Sequence, residues 1–161
     1  MATNISLNQF TPNVPLAGMY AYQANLPQLH NVIVTSTVTD ETPIKAGAIV
    51  TLDSTSTNTN ASVVKQAAVT DSIFGVVVYN PIQSTFIGNE RIAIARDGDI
   101  VWLPVAAAVN VGADLYFNAS NQVTATATAG NSIVGKAMTK ATAAGDLIQV
   151  ELGFRTTEAG E

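Results

Sequence analysis

Glycine sets the length of every regular element this chain can form. Between Val109 and Leu152 the apolar residues are cut into four short pieces by Gly112, Gly130, Gly135 and Gly145. Leu115-Tyr116-Phe117 runs into the turn cluster Asn118-Ala119-Ser120-Asn121, and Gln122 to Ala127 then alternates Thr with small or apolar residues at the strand period of two. Ser132–Gly135 enters a third strand, and Leu147–Leu152 forms a fourth with residues 148, 150 and 152 on one face. The best helical candidate, Pro104 to Val111, has room for a turn or two, and no convincing amphipathic helix occurs.

The same grammar, more loosely written, fills the earlier part of the chain. Asn31–Thr39 is dense in β-branched residues, Asp40–Pro43 is a turn, and Ala46–Leu52 is a second strand. After the polar loop Asp53–Ser62 come Val63–Val69 and Ile73–Tyr79. The latter is a continuous apolar run, which predicts a central strand covered on both faces. Arg91–Arg96 alternates, Asp97-Gly98 is a hairpin-turn dipeptide, and Asp99–Leu103 returns.

Three landmarks recur in order. Ile44–Ala48 matches Val109–Ala113, Ser72–Val76 matches Ser132–Lys136, and Gly98–Val101 matches Gly145–Ile148. Two related meanders that hide each other's apolar faces follow from this, with few free edges. The expected fold is all-β, an antiparallel β-sandwich or small β-barrel with an extended irregular N-terminal arm. The expected organisation is an arm or cover over residues 1–31, a β domain over 32–155 with related halves 44–103 and 109–152, and an acidic tail over 156–161.

The arm differs in composition from the rest. Pro12, Pro15 and Pro27 break it, and no Lys, Arg, Asp or Glu precedes Asp40. Phe10, Val14, Leu16, Met19, Tyr20, Tyr22, Leu26 and Leu29 are its apolar anchors and the candidate contact residues. A solvated disordered tail would carry charge. These anchors suit either a cover packed on the chain's own sheet or an arm that docks on a partner subunit.

Composition excludes several kinds of chemistry. Net charge is −5 and no basic run exists, so nucleic acid is not an expected partner. Only 12% of residues are charged while 47% are hydrophobic, and a Thr/Asn-rich surface of that kind suits burial against neighbours. There is no cysteine, and His30 is the single histidine, too little for a transition-metal site or a Ser-His-Asp triad. Gly130–Ala137 nearly spells a phosphate loop, but Ala137 stands where magnesium needs a hydroxyl, so a turn into a strand is expected. Asp97 and Asp99 lack the acidic series of a calcium loop. The start of the chain has no secretory pattern and no stretch is long enough for a membrane helix. The expectation is a non-enzymatic protein made in the cytoplasm, with no cofactor, metal, small-molecule substrate or membrane partner.

Four segments carry a family resemblance. Gly98–Pro104 (G-D-I-V-W-L-P), Val111–Phe117 (V-G-A-D-L-Y-F), Gly130–Ala137 (G-N-S-I-V-G-K-A) and Ala144–Leu152 (A-G-D-L-I-Q-V-E-L) resemble the capsid decoration, or cement, proteins of tailed bacteriophages. The likeness is good over residues 70–152 and loose before them, and the first thirty residues fit no pattern of the family. It implies a small β-rich protein on the outer surface of the virion capsid, made in the bacterial host. Its partners would be the major capsid protein, which it bridges, and itself, as a homotrimer or homodimer. The family offers no catalytic residues to carry over. Another virion part, such as a head-fibre base or tail component, is the alternative, followed by a glycan-binding β module.

Overall fold

The computed structural model describes residues 15–21 and 30–156. Among these are twelve strands and no helix. The first seven are β1 (His30–Val34), β2 (Ile44–Lys45), β3 (Ile49–Leu52), β4 (Val63–Gln66), β5 (Gly75–Val77), β6 (Thr85–Phe86) and β7 (Arg91–Ala95). The remaining five are β8 (Ile100–Pro104), β9 (Asp114–Phe117), β10 (Val123–Thr124), β11 (Ser132–Ala137) and β12 (Leu147–Thr156).

Five strands of the first half close into a barrel in the order β1-β4-β3-β5-β7. Its pairs are antiparallel except one: β1 runs parallel to β4 through Ile33–Val63 and Val34–Val64, and that seam closes the ring. The second half forms a five-stranded sheet, β10-β9-β11-β12-β8. Its edges also meet in parallel, through the single bridge Val105–Val123. The first half is thus the small-barrel alternative, with closure removing the edges a sandwich would leave, and β2 and β6 form a separate two-stranded sheet.

The two halves are the same structure built twice. Gly47 donates its amide to the Val77 carbonyl at 2.8 Å, and Gly112 does the same to Ala137 at 2.7 Å. Val78 bonds to Ala93 at 2.9 Å as Met138 bonds to Gln149 at 2.8 Å. Asn89 bonds to Val34 at 2.9 Å as Gly145 bonds to Val105 at 2.8 Å. Two of the three sequence landmarks, at Gly47/Gly112 and Gly75/Gly135, are therefore structural equivalents. The third is not. The partner of residues 145–148 is 89–92, where Asn89 (φ 68°) takes the left-handed turn that Gly145 (φ 87°) takes later. The repeat accordingly begins with β1 in one half and β8 in the other, rather than at residues 44 and 109.

That shift also corrects the reading of Asp97-Gly98. The turn is tight, with Gly98 at φ 89° and the Asp99 amide bonded to the Arg96 carbonyl at 3.1 Å. It is not a hairpin, because β7 pairs with β1 and β5 while β8 pairs with β12. The turn hands the chain from the first half to the second.

Alternation in the first half serves two cores. Val50, Val77 and Ile94 point into the barrel with Val32, Val34, Val64 and Phe86, while Ile49, Val76 and Ala95 point out and join the second core. Leu103, Leu115, Phe117, Ile148 and Val150 fill that second core. Every residue of β5 is buried, as its unbroken apolar run predicted, because one face sees each core. Several strands are shorter than their apolar patterns. The run from residue 31 stops at Val34, where the Thr35 hydroxyl turns to Asp53 at 2.6 Å. In 122–127 only Val123–Thr124 pair, since Val123 is the one residue there that is buried. The helical candidate 104–111 holds the bridge residues Val105 and Val109 instead.

Candidate interaction surface

Residues 15–21 lie on the chain's own sheet. Leu16 to Met19 form a turn closed by the Met19 amide on the Leu16 carbonyl at 3.0 Å, with Gly18 at φ 78°. Gly18 then joins the two halves. Its amide donates to Trp102 of β8 at 2.8 Å, and its carbonyl accepts from Tyr79, just past β5, at 3.0 Å. Trp102 returns a bond to Met19 at 2.8 Å, Ala21 bonds to Ile100 at 2.9 Å, and Tyr20 bridges Val101.

The eight anchors separate accordingly. Tyr20 packs against the second core, and Met19 is half-buried. Leu16 is exposed, at 38%. Phe10, Val14, Tyr22, Leu26 and Leu29 lie outside the described residues. The Tyr20 hydroxyl is buried with no hydrogen-bond partner among the described residues. Burial, followed by the negative charge of Asp99, pushes its pKa up to about 12. Asp99 acts on it as a charge without the geometry of a hydrogen bond.

The two polar loops are ordered by their own side chains. Asp53 accepts from the Thr35 hydroxyl at 2.6 Å, the Thr55 hydroxyl at 2.7 Å and the Thr55 amide at 3.1 Å. Those bonds, Thr35 first, hold its carboxyl below the usual range. Asn58 then accepts from the amides of Asn60 and Ala61 at 2.9 and 3.1 Å. In the second loop Asn80 accepts from the Ile82 amide at 2.9 Å, and Glu90 accepts from the Gln83 side chain and the Ile87 amide at 2.8 Å each. This lifts Ile82 into solvent, 93% exposed. None of Ile82, Val111 and Met138 stands out in the sequence, and the first-half counterparts of the last two, Ala46 and Val78, are half-buried.

The outer face of the second half is charged. Asp114 accepts from Arg155 at 3.0 Å and lies 3.3 Å from Lys136, all three well exposed. Gly130–Ala137 is a turn, with Gly130 at φ 81°, leading into β11. Gly135 is bare because a side chain there would overlap the Glu151 carbonyl. His30 starts β1, exposed. Among the described residues no group of three or more His, Cys, Asp or Glu side chains is placed to hold a metal ion. The surface presents polar loops held by their own side chains and isolated apolar tips.

A family profile described as "Structural cement protein (E217 gp24/Pam3 gp6)" matches residues 10–153. The chain belongs to this family of phage structural cement proteins. The match reaches well into the region where the sequence resemblance is loose. The cement protein is therefore a structural component of the virion, associated with the capsid. No curated protein sequence matches it. Among solved structures, the crystal structure of the head fiber gp8.5 N base in bacteriophage phi29 is similar, with a TM-score of 0.53 and 13% identity over 78% of this chain and 92% of that one. At that identity the likeness is one of fold.

Proposed function

We propose that this cement protein binds the outside of the assembled head, bridges neighbouring major capsid proteins and stabilises the shell without catalysing any reaction. The family match over residues 10–153 carries the reading. The architecture supports it: Gly18 ties the closed barrel of the first half to the five-stranded sheet of the second, and loops 53–62 and 80–90 place polar and apolar contacts, Ile82 foremost, at the surface. Many copies that each bind the assembled shell and not its free subunits favour the shell by linkage, and several weak contacts per copy add through multivalency. The protein acts as a homotrimer or homodimer, with the arm anchors Phe10, Val14, Leu16, Tyr22, Leu26 and Leu29 serving contacts between neighbours, while Met19 and Tyr20 fasten the segment to its own chain. Synthesis takes place in the host cytoplasm.

Heads that lack the protein test this. Added protein should co-sediment with them to saturation and raise the temperature at which they release DNA. Protein that stays in the supernatant, or binds without changing the release temperature, contradicts the reading. The head-fibre alternative has the phi29 likeness in its favour, and it predicts binding at a small subset of head positions.

A further inference from the structure

The two halves are built alike but are not covered alike. In the first half, the corner made by Gly47 and residues 77–79 lies under the chain's own residues 16–19. A methyl group added at Gly47 would meet the Ala17 Cβ at 2.7 Å, and the Tyr79 amide donates to Gly18 at 3.0 Å. Gly47 is buried there, with Val78 and Tyr79 half-buried. The equivalent corner of the second half is Gly112 with residues 137–139. A methyl added at Gly112 meets no described atom within 4 Å. The Thr139 amide, counterpart of Tyr79's, has no acceptor among the described residues. Val111 and Met138, which flank the Gly112–Ala137 hydrogen bond, are 63% and 43% exposed.

We propose that this corner is a contact between copies of the chain, and that it receives residues 1–14 of a second copy. The covered corner shows the chemistry of the occupant: an uncharged stretch that lays a carbonyl on the amide and apolar groups on either side. Residues 1–14 have it, with no charged side chain and with Ile5, Leu7, Phe10 and Val14. They lead directly into Pro15–Ala21, which both halves hold in place through Trp102, Ile100 and Tyr79. Fourteen extended residues reach at most about 50 Å, enough to cross to a neighbouring copy.

Another such half stacked on the second is not the occupant. The first half meets the second through Ile49, Val76 and Ala95, whose counterparts on the second half are Asp114, Lys136 and Glu151. That face is charged, and the apolar contact is left to the Val111–Met138 corner. The inference rests on the self-association in the reading above and names its surface.

Photo-crosslinking tests it on the full chain. Isotopically heavy and light protein, each with p-benzoylphenylalanine in place of Phe10, are mixed and irradiated, and the products are read by mass spectrometry. Heavy–light links from residue 10 to peptides containing Val111 or Met138 are expected. The double variant Val111→Asp, Met138→Asp should lose them, shift from oligomer to monomer in light scattering, keep its thermal midpoint, and bind heads at least about tenfold more weakly. Links confined to one isotope, links only to the capsid protein when heads are present, or an unchanged oligomeric mass in the double variant would overturn the proposal. Protein that forms the heavy–light link yet ignores heads upholds this surface and sinks the cement reading instead.

Discussion

Gly18 donates its amide to the Trp102 carbonyl at 2.8 Å, and this bond fastens the N-terminal segment to the edge of β8. The same glycine accepts from Tyr79, so one residue of the segment holds both halves of the fold. It can do so because φ is 78° and because a Cβ there would press on the Val77 carbonyl and the Gly47 amide.

Gly18→Ala should therefore cost about 2 kcal/mol or more, from left-handed backbone strain and overlap together. Chemical denaturation gives the value. A cost below about 0.5 kcal/mol would mean that the segment is not a structural clip.

Gly135 and its neighbour in the repeat, Gly112, predict a contrast. An alanine at Gly135 overlaps the Glu151 backbone, while one at Gly112 (φ 81°) has open space and only a left-handed backbone to strain. Gly135→Ala should destabilise by about 3 kcal/mol or prevent folding, and Gly112→Ala by about 1 kcal/mol. Equal effects would remove the close approach of β11 to β12 as the reason for the conserved position in the two halves, Gly75 and Gly135.

Tyr20 makes stability depend on pH at the alkaline end. Its ordinary pKa is 10.0 and in the fold it is about 12, so the unfolded chain loses the proton first. The contribution is fully present below pH 10 and is lost as pH rises towards 12. Tyr20→Phe removes an unpaired buried hydroxyl, so it should leave stability at pH 7 unchanged or raised, and should flatten the decline above pH 10. The difference between the two melting curves across that range is the measurement, and parallel curves would count against it.

Asp53 and Asp146 act at the acid end. Hydrogen bonds from Thr35 and Thr55 lower the first, and bonds from the Thr142 and Ala143 amides lower the second. A carboxyl whose pKa is lower in the fold stabilises above its unfolded value of 3.8 and loses that contribution as pH falls through its folded value. Asp146→Asn should lower the thermal midpoint at pH 7 and leave a shallower acid limb below about pH 4. An unchanged acid limb would dismiss the carboxylate as a source of stability.

Much of this was legible in the sequence, for identifiable reasons. Left-handed backbone at Gly47 and Gly112 and close backbone approach at Gly75 and Gly135 favour glycine at the same places in both halves, and that spacing revealed the repeat. The third landmark misled because Asn89 takes the left-handed turn that Gly145 takes, and a search for matching glycines passes over it. The hairpin at Asp97-Gly98 failed for a related reason: a two-residue turn specifies a local bend but not which strands pair beyond it. The candidate surface was the least legible part. Whether Val111 or Leu16 is exposed depends on what another segment covers, and that is decided by tertiary packing rather than by local pattern.

Ile82 joins the fold to the proposed function. At 93% exposure it contributes almost nothing to folding, so Ile82→Asp should change stability by less than about 0.5 kcal/mol. Head binding should weaken at least about tenfold, as for an apolar anchor at an interface. Normal binding would move the contact elsewhere on the surface.

Electron cryomicroscopy of heads saturated with the protein tests the central claim most directly. The account predicts regular density of this two-part β body over the whole outer surface, each copy touching more than one major capsid subunit. Density confined to the tail, to a single vertex or to the inside of the shell, or copies that each sit on one subunit alone, would contradict it.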